Sequence, residues 1–81
     1  MKAHVYVRLK RTVLDPQGQA ILHALHGLGH KNVEAVRQGK SFELQLANGM
    51  TAEQARAEVE RIARDVLTNP VIEEYTYRIE E

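Results

Sequence analysis

The chain has no cysteine, which excludes disulfides and thiolate metal sites together and fits a cytoplasmic protein. No apolar run approaches the ~20 residues of a membrane span, and the N-terminus MKAHVYVRLK has no apolar core of signal-peptide length. A soluble, unexported, cytoplasmic protein that does not enter a membrane is expected. Aromatic residues are scarce, with no tryptophan, one phenylalanine and three tyrosines. The first predicted strand offers only Tyr6 for stacking on bases, and Phe42 is assigned to the core, so an RNA-binding sheet is disfavoured. Net charge is lacking as well: eleven Lys and Arg balance eleven Asp and Glu, where a nucleic-acid binder is usually basic. No nucleic-acid partner is expected.

The balance hides a segregation. Met1 to Lys40 carries seven basic residues against two acidic ones, and Ser41 to Glu81 carries four against nine. Opposite patches of this kind suit a self-complementary assembly. A chain of 81 residues forms one small domain, spanning residues 1–81, that buries only ~60% of its unfolded surface. Oligomerisation is the device left to stabilise it.

What is present is patterned. Val5, Val7 and Leu9 alternate with His4, Tyr6, Arg8 and Lys10, the period of a half-buried strand. The strand runs into Thr12 to Leu22, TVLDPQGQAIL, where Asp15 suits an N-cap and Pro16 the first helical position. Gly18, inside the first turn, disfavours the helix by up to ~1 kcal/mol relative to alanine and so implies a close approach by a neighbouring backbone or subunit. Ile21, Leu25 and Leu28 form an apolar helix stripe closed by Gly27 and Gly29. Val33 to Arg37 and Phe42 to Leu46 flank Gln38-Gly39-Lys40 and read as a hairpin. Thr51 and Gln54 match a capping box for a second helix, with Ala55, Val59, Ile62 and Val66 inward and Glu60–Arg64 and Arg61–Asp65 as surface pairs. Asn69-Pro70 stops that helix, and a last strand runs from Val71 to Ile79.

The order β-α-β-β-α-β predicts a single α+β ferredoxin-like layer, a four-stranded antiparallel sheet with two helices on one face. The other face stays open and carries Tyr6, Arg8, Lys10, Val36 and Gln45. Fold alone does not set function. An anion site after the first strand, using Arg8 or Arg11, is disfavoured because the Asp15 carboxylate competes for the helix N–H groups. His23, His26 and His30 do not supply a zinc set, because the flanking glycines end the helix between the last two. No catalytic, cofactor-binding or metal-binding residues are assigned, so a binding role is favoured over catalysis.

LK followed by VLDPQG, then Leu28-Gly29, VRQGK at Val36 to Lys40 with Glu43-Leu44, and NPVIEEY at Asn69 to Tyr75 resemble, in order and over nearly the whole chain, the PurS family, the small subunit of phosphoribosylformylglycinamidine (FGAM) synthase. The chain departs from the family pattern at Arg11-Thr12 and at His30. The resemblance implies a non-catalytic assembly subunit of an ATP- and glutamine-dependent C–N ligase (EC 6.3.5.3) in de novo purine biosynthesis. Such a subunit bridges the synthase PurL and the glutaminase PurQ and supports ammonia transfer. It forms a homodimer or homotetramer and binds no cofactor, since ATP, Mg and glutamine are used by its partners. Carried over residue by residue, the matching positions are Lys10, Asp15, Pro16, Gln17, Gly18, Gly39, Lys40, Asn69 and Pro70, assigned to fold and interface. The alternative reading is a small-molecule-binding regulatory module.

Overall fold

In the computed structural model, which describes residues 1–81, the central strand is β1 (Lys2–Leu9), paired antiparallel with β2 (Gly39–Gln45) on one side and β3 (Glu73–Glu80) on the other. Its alternation places Ala3, Val5 and Val7 at 0–1% exposure. His4, Tyr6 and Arg8 point to the opposite face, where polar pairs line the sheet: His4 with Glu80 at 2.7 Å and Arg8 with Glu74 at 3.0 Å.

The buried face is covered by α2 (Ala52–Ile62), which begins at the expected capping box. Thr51 Oγ1 accepts from the Gln54 N–H at 3.1 Å, and Gln54 Oε1 accepts from the Thr51 N–H at 3.0 Å. The helix continues through a π turn at Ala63–Leu67, and this corrects its stripe. Ala55, Val59 and Ala63 are fully buried and Leu67 packs against the cluster that Val59 and Ala63 join, whereas Val66 is 73% exposed. A residue every fourth position drifts around an α-helix of 3.6 residues per turn, and the wider i→i+5 turn removes that drift. Leu67 therefore stays on the core side and Val66 swings out. The expected surface pairs change too: Arg64 binds its neighbour Asp65 at 2.9 Å, and Glu60 accepts the Tyr77 hydroxyl at 2.7 Å.

The four-stranded sheet is not formed; there are three strands in the order β2-β1-β3. Gly39 opens β2 instead of turning a hairpin, and Val33 to Gln38 is not a strand. That segment runs back along α1 (Pro16–Gly27). His26 Nε2 donates to the Val33 carbonyl at 2.7 Å, the Val36 carbonyl lies over Gly18, and the Gln38 N–H donates to Asp15 Oδ2 at 2.8 Å. The outer edge of β2 is left unpaired, and this stretch bonds to α1 and its cap instead of to that edge. Val36 accordingly lies off the open sheet face.

Nor does α1 lie on the sheet. Its C-terminus closes as expected, with Gly29 at φ +99° and the His30 N–H bonded to the Leu25 carbonyl at 2.9 Å. Along its length, however, Gly18 is its only buried residue, and it packs extensively on neither the sheet nor α2. Helix and returning segment form an arm. The molecule measures 51 × 26 × 14 Å with a radius of gyration of 16.2 Å, against about 12 Å for a compact chain of this length. Of the stripe predicted to be core, Leu25 is half-buried, but Ile21 is 41% and Leu28 77% exposed.

Candidate functional site

The residues singled out by motif gather where β1 ends, β2 and β3 begin, and the arm departs. Asp15 is the pin of this junction, only 7% exposed. One carboxylate oxygen caps α1 by accepting from the Gly18 N–H at 2.9 Å, and the other accepts from the Gln38 N–H at 2.8 Å. Pro16 follows in the first helical turn, where its missing N–H leaves nothing unpaired. Gly18 is glycine because a Cβ there would strike the Val36 carbonyl oxygen and lie 2.7 Å from Asp15 Oδ2. Gly39 has a similar constraint, since its Cβ would lie 2.6 Å from the Val7 carbonyl oxygen.

Lys40 reaches Glu73 Oε2 at 3.6 Å, and the other oxygen of Glu73 accepts from the Asn69 N–H at 2.8 Å. Pro70 lies in the turn that follows, held by the Asn69 side chain accepting from the Val71 N–H at 3.1 Å. Lys10 ties the junction together through its backbone: its N–H donates to the Ile72 carbonyl at 2.9 Å, and its carbonyl accepts from Arg37 Nη2 at 2.9 Å. Asp15, Gln17, Gly39 and Lys40 share a cavity of about 270 Å³ with Arg8 and Glu73. Two residues of this junction, Arg37 and Glu73, were not singled out in the sequence. Both lie inside the motifs VRQGK and NPVIEEY, but their charges carry no periodic signal.

The N–H groups of Gln38 and then Gly18 hold the Asp15 carboxyl below its ordinary value of 3.8. A depressed folded pKa means that the ion contributes stability above the unfolded pKa and that this is lost as pH falls through the folded value. Asp15→Asn keeps one acceptor oxygen and turns an amide donor toward the second N–H. We expect a melting temperature lower by about 5 °C or more at pH 7, with the gap to the unsubstituted chain narrowing below pH 4. Calorimetric melts across pH check this, and a gap that stays constant to low pH contradicts it.

Histidines do not converge. His26 is spent on Val33, His4 on Glu80, and no group of three or more His, Cys, Asp or Glu is placed to hold a metal. The geometry is that of a small α+β domain with a polar pin at one end of its sheet and a helix that leaves Ile21 and Leu28 exposed.

The PurS family model, described as phosphoribosylformylglycinamidine (FGAM) synthase, matches residues 2–81. Phosphoribosylformylglycinamidine synthase subunit PurS of Mycobacterium leprae is 47% identical, over 93% of this chain and 90% of its own. The Bacillus subtilis subunit of the same name is 42% identical, over 99% and 93%. Among solved structures, PurLQS from Thermotoga maritima contains a chain that matches with a TM-score of 0.85 at 32% identity, covering 95% of this chain and 93% of that one. The chain belongs to the PurS family of phosphoribosylformylglycinamidine synthase subunits.

Proposed function

We propose that this chain is a non-catalytic assembly subunit, bridging the ATP-dependent synthase PurL and the glutaminase PurQ and supporting ammonia transfer between them, in the cytoplasm. ATP, Mg and glutamine are used by those partners. The observation that carries the reading is the arm: a helix with Ile21 and Leu28 exposed, pinned at Asp15 and backed by the returning segment, has no packed partner in the sheet or α2. Presented apolar surface of this kind marks an interface. The Thermotoga maritima PurLQS structure, which includes a matching chain, supports PurL and PurQ as the partners. The bare arm and the opposite charges of the two halves support self-association as well.

Reconstitution tests the role. With PurL, PurQ, ATP and glutamine, synthase activity should fall to a small fraction when this chain is omitted, while activity driven by added ammonium should persist. Equal loss with both nitrogen sources would point away from ammonia transfer. Full glutamine-dependent activity without the chain would sink the proposal.

A further inference from the structure

Beside the Asp15 pin lies a concavity of about 80 Å³ lined by three residues, Arg8, Arg11 and Arg37. We propose that it binds the phosphate group of a small phosphorylated molecule, an inference that does not depend on the bridging role. Each arginine comes from a different part of the chain: Arg8 from β1, Arg11 from the turn after it, and Arg37 from the segment returning along α1. Two of them are held in place by bonds that leave donors free. Arg8 uses Nε on Glu74 at 3.0 Å, and Arg37 uses Nη2 on the Leu9 and Lys10 carbonyls at 2.6 and 2.9 Å. Arg11 is exposed and has no hydrogen bond or ion pair within the chain.

Guanidinium groups stay charged at any physiological pH, and their planar forks match the oxygens of phosphate. Three of them around one space repel each other. Glu74 is the one carboxylate ion-paired with any of the three, and Asp15 lies close to Arg11 and Arg37, so three guanidiniums against two carboxylates leave a positive charge in excess. Asp15 takes the N–H groups at the helix start, so the anion belongs on the guanidiniums and not on the helix end. An adjoining cleft of about 440 Å³ shares Arg8 and Arg37 and is also lined by Tyr6, Lys40, Thr76 and the Glu74 carboxylate that pairs with Arg8. That volume is in the range of small-molecule sites, and the cleft gives the rest of an organic phosphate a place to lie.

The test uses the full chain, with the arginine Nε–H signals followed by NMR at constant ionic strength. Titration with inorganic phosphate and with ribose 5-phosphate should give saturable shifts of the Arg8 and Arg11 signals, and ribose should give none. Arg11→Gln, which removes no internal contact, should weaken phosphate binding by about tenfold and leave the melting temperature unchanged. Arg11→Lys keeps the charge without the fork and should fall between. No saturation, shifts reproduced by chloride at equal ionic strength, or an unchanged affinity in Arg11→Gln would each overturn the site. Binding of inorganic phosphate without binding of ribose 5-phosphate would overturn its assignment to an organic phosphate.

Discussion

Replacing Gly18 by valine should lower the melting temperature by roughly 10–20 °C. Helix propensity argues the other way, since glycine within a helix is up to ~1 kcal/mol less favourable than most alternatives. Sterics decide the sign. A Cβ at this position meets the Val36 carbonyl oxygen and the Asp15 carboxylate, 2.7 Å from Oδ2. The carbonyl is backbone and cannot rotate away, and the carboxylate is held by the N–H groups of Gly18 and Gln38. Relief therefore requires the returning segment to lift off α1, which breaks the Gln38 bond and removes the support of the arm. The close approach inferred from the sequence is made by the chain's own backbone. Fold and assembly should consequently weaken together in this variant, although a glycine reserved for a second subunit would weaken assembly first. Melting by circular dichroism alongside co-elution with the partner subunits checks both, and a melting temperature within a degree or two of the unsubstituted chain would contradict the steric account.

Features that depend on a few adjacent residues were legible in the sequence. Asp15 and Pro16 start α1, Thr51 and Gln54 start α2, Gly29 ends α1, and β1 alternates as written, because caps, glycine and the strand period are all local devices. Features that depend on competition between distant partners were not. Val33 to Arg37 has strand-forming residues next to a glycine, but the Asp15 carboxylate at the far end of α1 takes the Gln38 N–H, and the His26 ring takes the Val33 carbonyl. The fourth strand is lost to those bonds. Val66 sits correctly for a pure α-helix, and the π turn at Ala63–Leu67 moves it to the surface. Periodicity places the α1 stripe in the core because it reports that a face is apolar, not what covers it.

That uncovered stripe leads to the second large effect: Ile21→Glu should raise the dissociation constant of self-association by at least roughly a hundredfold. Ile21 on α1 and Leu28 at its C-cap are 41% and 77% exposed, and Leu14, just ahead of the N-cap, is 71% exposed. A two-fold contact through this apolar end of the arm repeats each residue once per copy, so a single substitution introduces two carboxylates into an apolar interface, each without a partner. Within one chain the same change is mild, because Ile21 already faces solvent and a surface substitution shifts stability by only about 0.5 kcal/mol. This separates the variant from Gly18→Val, in which fold and assembly fail together. Val66→Glu is the control: it is 73% exposed and lies beyond α2, away from the arm, so it should change neither mass nor melting. Sedimentation at micromolar concentration should show the unsubstituted chain and Val66→Glu as oligomers and Ile21→Glu as a monomer with its β-sheet circular dichroism intact. An Ile21→Glu chain that sediments with the unsubstituted one would move the interface off α1 and onto the polar face of the sheet, where salt rather than a buried charge would dissociate it.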